Sequence, residues 1–246
     1  MPPLVLTFAA SDPTGGAGLQ ADLLTLAALG CHPLSVVTGI TVQDTRGVDS
    51  LDAVETSLVE RQAAKLLAEM KVSAFKLGVL GSAANARAIA AIVSRHPSVP
   101  LVLDPVLASG RGDPLASEEL IAVLLADLVP RATLATPNSI EAQRLGGSRA
   151  LLERGCKYVL VTGTHDATKD VVNVLHDKRG KVREDRWPRL PGSYHGSGCT
   201  LASAIAAKLA HGLEIGEAAR AAQDFTWRSL SAGFRPAEGQ FVPWRK

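Results

Sequence analysis

Short apolar runs without a helical period alternate along this chain with stretches that have one, and this alternation restricts the fold more than any other property. Leu4–Ala10, Pro33–Ile40, Ser73–Leu77, Val99–Leu103, Ala132–Ala135 and Tyr158–Val161 read as buried strands. Leu19–Leu29, Ser57–Met70, Ala83–Ser94 and Ser117–Leu128 read as the helices between them, followed by helices over 199–211 and Gly216–Ala232. Leu19, Leu23, Leu26 and Ala27 mark the inner face of the first helix, and Gly30 its stop. Asp170–Leu175 and Val182–Trp187 flank Lys178-Arg179-Gly180 as a hairpin, so some antiparallel strand is expected. No linker, repeat or low-complexity block interrupts the pattern. It predicts a single α/β domain over residues 1–246, mostly parallel, with helices on both faces of the sheet. Aromatic Phe234, Phe241 and Trp244 in the tail are expected to pack down.

The charge balance narrows the function classes. The net charge of +2 offers no electrostatic case for nucleic acid or a membrane surface. Residues 1–123 carry 8 Lys+Arg against 12 Asp+Glu and residues 124–246 carry 18 against 12. The basic cluster Lys178–Arg183 reads as a solvated hairpin tip. The longest apolar run, Leu120–Ala126, has seven residues, far short of the ~20 that span a bilayer. The N-terminus lacks the basic region of a signal peptide. Cys31, Cys156 and Cys199 form no CxxC and no zinc spacing, which predicts reduced thiols and a cytoplasmic protein.

Two glycine-rich turns carry the chemistry. In Gly192–Gly212 the turn His195-Gly196-Ser197-Gly198 runs into a helix marked by Ala202, Ile205, Ala206 and Leu209. Converging amides and the helix start make a seat for an anion, most simply a phosphate. Cys199 lies at that seat, where the same field is expected to lower a thiol pKa. The second turn, Ser11–Gly18, follows the first strand and opens the first helix. Its GGAG order is not GxGxxG, and no GxxxxGK[ST] occurs, so neither a dinucleotide fingerprint nor a P-loop is supported. Polar residues collect at other strand ends. Gln43 offers a donor and an acceptor to a heteroaromatic edge, Asp104 precedes the ladder-stopping Pro105, and Asn138 with Glu141 has capping-box spacing.

Six segments in order resemble the hydroxymethylpyrimidine/phosphomethylpyrimidine kinases of thiamine biosynthesis, within the ribokinase superfamily. They are SDPTGGAGLQADL at 11–23, TGITVQDTRGV at 38–48, KLGVLGS at 76–82, VLDPV at 102–106, TPNSIEA at 136–142 and HGSGCTLASAIAA at 195–207. The resemblance implies a ribokinase-like three-layer α/β/α fold, a homodimer, and phosphoryl transfer from ATP with Mg²⁺ to hydroxymethylpyrimidine and then to its monophosphate. It implies that amides of Gly196, Ser197 and Gly198 hold the transferring group and that Cys199 is the general base. Gln43, Asp22, Gly18 and Val106 would meet the pyrimidine. Asn138, Glu141 and Thr162 would serve the nucleotide, with Glu141 and Asp104 managing Mg²⁺.

The chain departs from the family pattern at three points. VTGTH puts Thr162 where the family has a lysine, LASGRGDPLA lacks the lysine that usually follows DPV, and Tyr194 replaces a threonine. These bear on the second phosphorylation, which must hold an extra phosphate, and Arg111 or the basic hairpin is expected to compensate. Rival readings are a pyridoxal kinase of the same superfamily, a cysteine hydrolase pairing Cys199 with His195, and a non-catalytic pyrimidine-binding protein. The hydrolase lacks a visible third group to orient the histidine.

Overall fold

A computed structural model describes residues 1–246. Nine strands form one sheet in the order β3-β2-β1-β4-β5-β6-β7-β8-β9. They are β1 Leu4–Ser11, β2 His32–Gln43, β3 Val48–Ala53, β4 Ala74–Leu77, β5 Leu101–Leu103, β6 Leu134–Ala135, β7 Tyr158–Thr162, β8 Asp170–Asp177 and β9 Gly180–Pro188. From β2 across to β7 all pairings are parallel, while β3, β8 and β9 add by antiparallel pairing at the two flanks. The helices are α1 Gly18–Ala28, α2 Thr56–Glu69, α3 Ala83–Ser94, α4 Glu118–Val123, α5 Ser139–Arg144, α6 Gly147–Glu153, α7 Ser197–Ala210 and α8 Ile215–Ser231.

Two apolar layers follow from these helices. Helices α2, α3, α4 and α6 cover one face around Phe8, Phe75, Ile89 and Leu151. Helices α1, α7 and α8 cover the other around Leu26, Leu134, Ile205 and Phe225. Helix α7 is buried from Thr200 through Ala207, and its alanines let neighbouring helices approach closely on both sides. The α/β/α layering matches the expectation. No helix is long and apolar enough to cross a membrane.

The elements depart from the reading in three places. Strand β2 runs on through Thr41-Val42-Gln43 and folds back as β3, a second hairpin where a loop was expected. In β3 the pattern VDSLDA leaves no residue fully buried, so no buried face announces it. The helix predicted over Ser117–Leu128 is α-helical only to Val123 and widens into a π turn over Leu124–Leu128 ahead of Pro130. In α1 the inner face is Leu19, Asp22, Thr25 and Leu26, with Ala27 exposed, so a carboxylate occupies the core side of that helix.

The chain leaves β1 to one side for β2 and β3, then returns to the other side of β1 at β4. That reversal opens a crevice at the carboxyl ends of the strands, where open α/β sheets bind ligands. In the tail Phe241 packs against Tyr194 at 5.4 Å, whereas Phe234 and Trp244 stand edge-on to one another at 5.7 Å and stay exposed, short of the expected packing.

Candidate active site

One cavity of about 430 Å³ lies along this strand edge, within the usual range for small-molecule sites. Gly18 and Gln43 line it on the β1–β2 side of the sheet, Val171, Trp187 and Trp227 on the β8–β9 side, and Val106 follows β5 in the middle. Asp104, Asn138, Glu141, Thr162 and the stretch His195–Cys199 lie between. Of the predicted site residues, Asp22 alone is absent from the wall.

Asp22 is fully buried beneath the cavity. Its carboxylate accepts from Lys76 Nζ at 2.7 and 2.9 Å, from Thr7 at 2.6 Å and from Ser203 at 2.8 Å. With those partners it lies beneath the wall of the cavity, whereas the resemblance implies a place beside the substrate. Burial works against the Lys76 charge, but Asp22 outweighs it and raises the Lys76 pKa. Lys76 was not singled out from the sequence. Its signal is a lone lysine between Phe75 and Leu77 in a strand otherwise apolar, matched by a lone aspartate on the inner face of α1.

The two glycine turns differ in kind. At the first, Asp12 accepts from the amides of Thr14 and Ala17 and from the Thr14 hydroxyl, and the Gly16 amide donates to Thr14 Oγ1. The amides of Thr14, Gly15, Gly16 and Ala17 are spent within the turn, and only that of Gly18 is left to face the Cys199 thiol. At the second, Gly196 stands at φ 76° and the amides of Ser197, Gly198 and Cys199 have no partner in the chain. These amides open into the cavity at the positive end of α7. The turns also touch one another. A Cβ on Gly196 would lie 2.0 Å from the Gly16 carbonyl oxygen, and one on Gly16 would lie 2.4 Å from the His195 ring.

His195 Nε2 meets Asp12 at 2.9 Å, which supplies the third group the sequence had not shown, yet no hydrogen bond joins His195 to Cys199. Burial alone would raise the Asp12 pKa, but the bonds from His195, Thr14 and Ala17 hold it below the usual carboxylate range. Cys199 contradicts its expected activation. The residue is half-buried and closely surrounded, and desolvation pushes its thiol up to about 12 against the opposing pull of Lys76.

The acidic pair is geometrically coupled. Glu141 Oε2 accepts from the Asn138 amide at 3.0 Å and the Asn138 side chain accepts from the Glu141 amide at 2.9 Å, completing the capping box. Glu141 Oε1 accepts from the Leu107 amide at 3.2 Å, tying α5 to the segment after β5. Burial and then Asp104 raise Glu141 to about 8, and burial raises Asp104 to about 6 although Lys76 opposes it. Asp104 Oδ2 is buried with no hydrogen-bond partner. An orphaned carboxylate oxygen beside a second carboxylate fits a hard divalent cation, which Mg²⁺ proteins commonly hold with one or two carboxylates plus phosphate oxygens. No cluster of three or more metal-ligating side chains stands there.

Gln43 donates its amide to Thr41 Oγ1 at 2.7 Å, and Thr41 donates to the Ser11 carbonyl at 2.9 Å. This fixes the side chain while Oε1 and one N–H stay free for a ligand. Arg189, another residue the sequence reading passed over, lines the cavity and donates to carbonyls of Gly163, Thr164, Asp166 and Thr168, clamping the loop after β7.

The sequence model of the phosphomethylpyrimidine kinase family matches residues 12–244. A Streptomyces coelicolor protein named hydroxymethylpyrimidine/phosphomethylpyrimidine kinase is 39% identical, over 98% of this chain and 93% of its own. An Escherichia coli protein of the same name is 35% identical, over 82% and 81%. Among solved structures, the ADP complex of Bacillus subtilis pyridoxal kinase superposes with a TM-score of 0.90 at 27% identity, covering 99% of this chain and 97% of that one. A phosphomethylpyrimidine kinase from Clostridium difficile superposes with a TM-score of 0.79 at 33% identity, covering 91% and 97%.

Proposed function

The chain belongs to the phosphomethylpyrimidine kinase family, and on that premise we propose that it transfers phosphate from ATP to hydroxymethylpyrimidine and then to the monophosphate, giving the diphosphate used in thiamine biosynthesis. The observation that carries this reading is the unpaired amide turn Ser197–Cys199, open to the same cavity as Gln43. Phosphoryl transfer asks for positioning and charge stabilisation more than covalent chemistry. The amides of 197–199 hold the transferring group as negative charge shifts onto its oxygens. Gln43 grips the ring edge with its free carbonyl and N–H, between Gly18 and Val106. The triphosphate extends past Asn138 and Thr162 toward the apolar end at Trp187 and Trp227.

Asp104 and Glu141 would hold Mg²⁺, which supplies charge neutralisation on the phosphates. Cys199 takes the hydroxymethyl proton. Only its thiolate form can accept that proton, and burial, which pushes the thiol up to about 12, makes that form scarce at neutral pH. We further propose that the chain works as a single domain in a cytoplasmic homodimer. The outward side chains of Ile40 and Val42 on β2, about half exposed, supply an apolar patch for a second copy, and light scattering reads the mass.

The test is purified protein with ATP, Mg²⁺ and hydroxymethylpyrimidine, and pyridoxal in a parallel reaction, resolving mono- and diphosphate. Both pyrimidine products are expected. Pyridoxal phosphate without a pyrimidine product would replace this reading with the pyridoxal kinase suggested by the Bacillus subtilis fold match.

A further inference from the structure

Arg245 is only 7% exposed. Its Nη2 donates to the Gly16 carbonyl, its Nη1 to the Gly15 carbonyl at 3.5 Å, and its Nε to Thr200 Oγ1 at 2.9 Å. Thr200 Oγ1 passes the connection on, donating to the Gly196 carbonyl at 2.8 Å. One guanidinium therefore holds the first glycine turn directly and the second through a hydroxyl, where the two turns are already in contact.

Arg245 differs from the other buried cation beneath the site. Lys76 is paired with Asp22 in direct contact, whereas the guanidinium of Arg245 touches no carboxylate and feels Asp22 and Asp12 only from farther away, so that burial prevails and lowers its pKa. Burying a guanidinium without a counter-ion is costly, and an anion arriving at the adjacent seat would offset that cost. The tail is built to deliver it. The Phe241 amide donates to the Ser193 carbonyl, the His195 amide to the Phe241 carbonyl, and the Gln240 amide to the Thr45 carbonyl.

We propose that Arg245 is a positioning residue for phosphoryl transfer: it holds the two glycine turns in register and backs the unpaired amides of Ser197–Cys199 with a positive charge that no carboxylate touches. The proposal rests on the kinase reading of the site. The match to the family model ends at residue 244, so it does not include Arg245. A lysine would not replace it, because a compact ammonium does not span the three acceptors that the planar fork reaches.

Arg245→Ala, Arg245→Lys and Thr200→Val test it, by steady-state kinetics and by calorimetric binding of AMP-PCP with Mg²⁺. In Arg245→Ala, kcat is expected to fall roughly 10- to 100-fold, below the roughly 100- to 1,000-fold of a donor that touches the transferring group, because Arg245 acts through the turns, with the KM for the pyrimidine within about twofold. AMP-PCP should bind about tenfold more weakly, and ethylguanidinium in the buffer should restore part of both losses. Arg245→Lys and Thr200→Val should show smaller losses of the same kind. Unchanged AMP-PCP affinity would overturn the proposal, as would a loss that follows the melting temperature and resists ethylguanidinium. If the unmodified protein phosphorylates no pyrimidine while AMP-PCP binding still falls in Arg245→Ala and is rescued, the substrate reading fails and the positioning role stands.

Discussion

A thiol at a helix start feels two opposed effects. The unpaired amides favour the thiolate by an amount on the order of 1 kcal/mol, while loss of water favours the neutral thiol and grows with burial. At Cys199 burial prevails and the pKa rises to about 12. Because that value lies above the whole physiological range, the ionised fraction grows about tenfold for each pH unit. With Cys199 as proton acceptor, kcat at saturating substrates is therefore expected to rise across pH 6–9 without levelling. Rate measurements at fixed Mg²⁺, carried on to pH 10, check this, since Asp104, at about 6, would give a plateau above pH 7 and Glu141, at about 8, one above pH 9. Glycine turns and a following helix show an anion seat in the sequence, but burial is a tertiary property, and so the sign of the Cys199 shift was not legible there. The burial of Asp22 beneath the cavity was hidden for a similar reason. Its motif is readable, while the lysine that holds it lies 54 residues away.

At the scale of elements, the legible parts were those whose own residues decide them. Helix α3 begins and ends where its alanine-rich run does, and α5 carries the capping box that Asn138 and Glu141 spell out. Strand β3 was not legible because its place is fixed by pairing with β2 rather than by a buried face of its own. The two glycine turns could be read as glycine-rich but not as interlocked. That contact yields a prediction. Gly196 and Gly212 both stand at positive φ, 76° and 85°, so alanine is strained at either. At Gly196 the new Cβ would also lie 2.0 Å from the Gly16 carbonyl oxygen, whereas at Gly212 nothing stands within 4 Å. Gly212→Ala should cost about 1 kcal/mol in urea unfolding and leave activity intact. Gly196→Ala should cost more, on the order of 2–4 kcal/mol, and lower kcat, because relief of the clash spreads the two turns apart.

Over the whole molecule, the alternation of strands and helices made the layers legible, while the sheet order, and with it the fate of each charged loop, had to come from the structure. The basic hairpin is the clearest case. Thr162 pairs with Asn173 at the cavity end of β8, and the ladder then runs away from the site to Asp177 and Gly180. From Asn173 to the Lys178–Arg179 tip is about five residues, or roughly 15 Å of strand. Charges on an exposed tip at that distance are screened at physiological salt, where the Debye length is about 8 Å. Ion pairs within the hairpin, Lys181 to Glu184 and Arg183 to Asp185, reduce its field further. The hairpin therefore cannot stand in for the lysine that Thr162 replaces. Arg111 remains in a position to do so, exposed beside Ser109 and Gly110 of the cavity wall. Reversing the tip with Lys178→Glu and Arg179→Glu should leave both phosphorylation rates within about twofold. Arg111→Ala should slow formation of the diphosphate while sparing the monophosphate, because only the second substrate brings an extra phosphate to hold. Product-resolved time courses separate the two steps. A selective loss of diphosphate in the tip variant would return the role to the hairpin, and an unchanged second step in Arg111→Ala would remove it from Arg111.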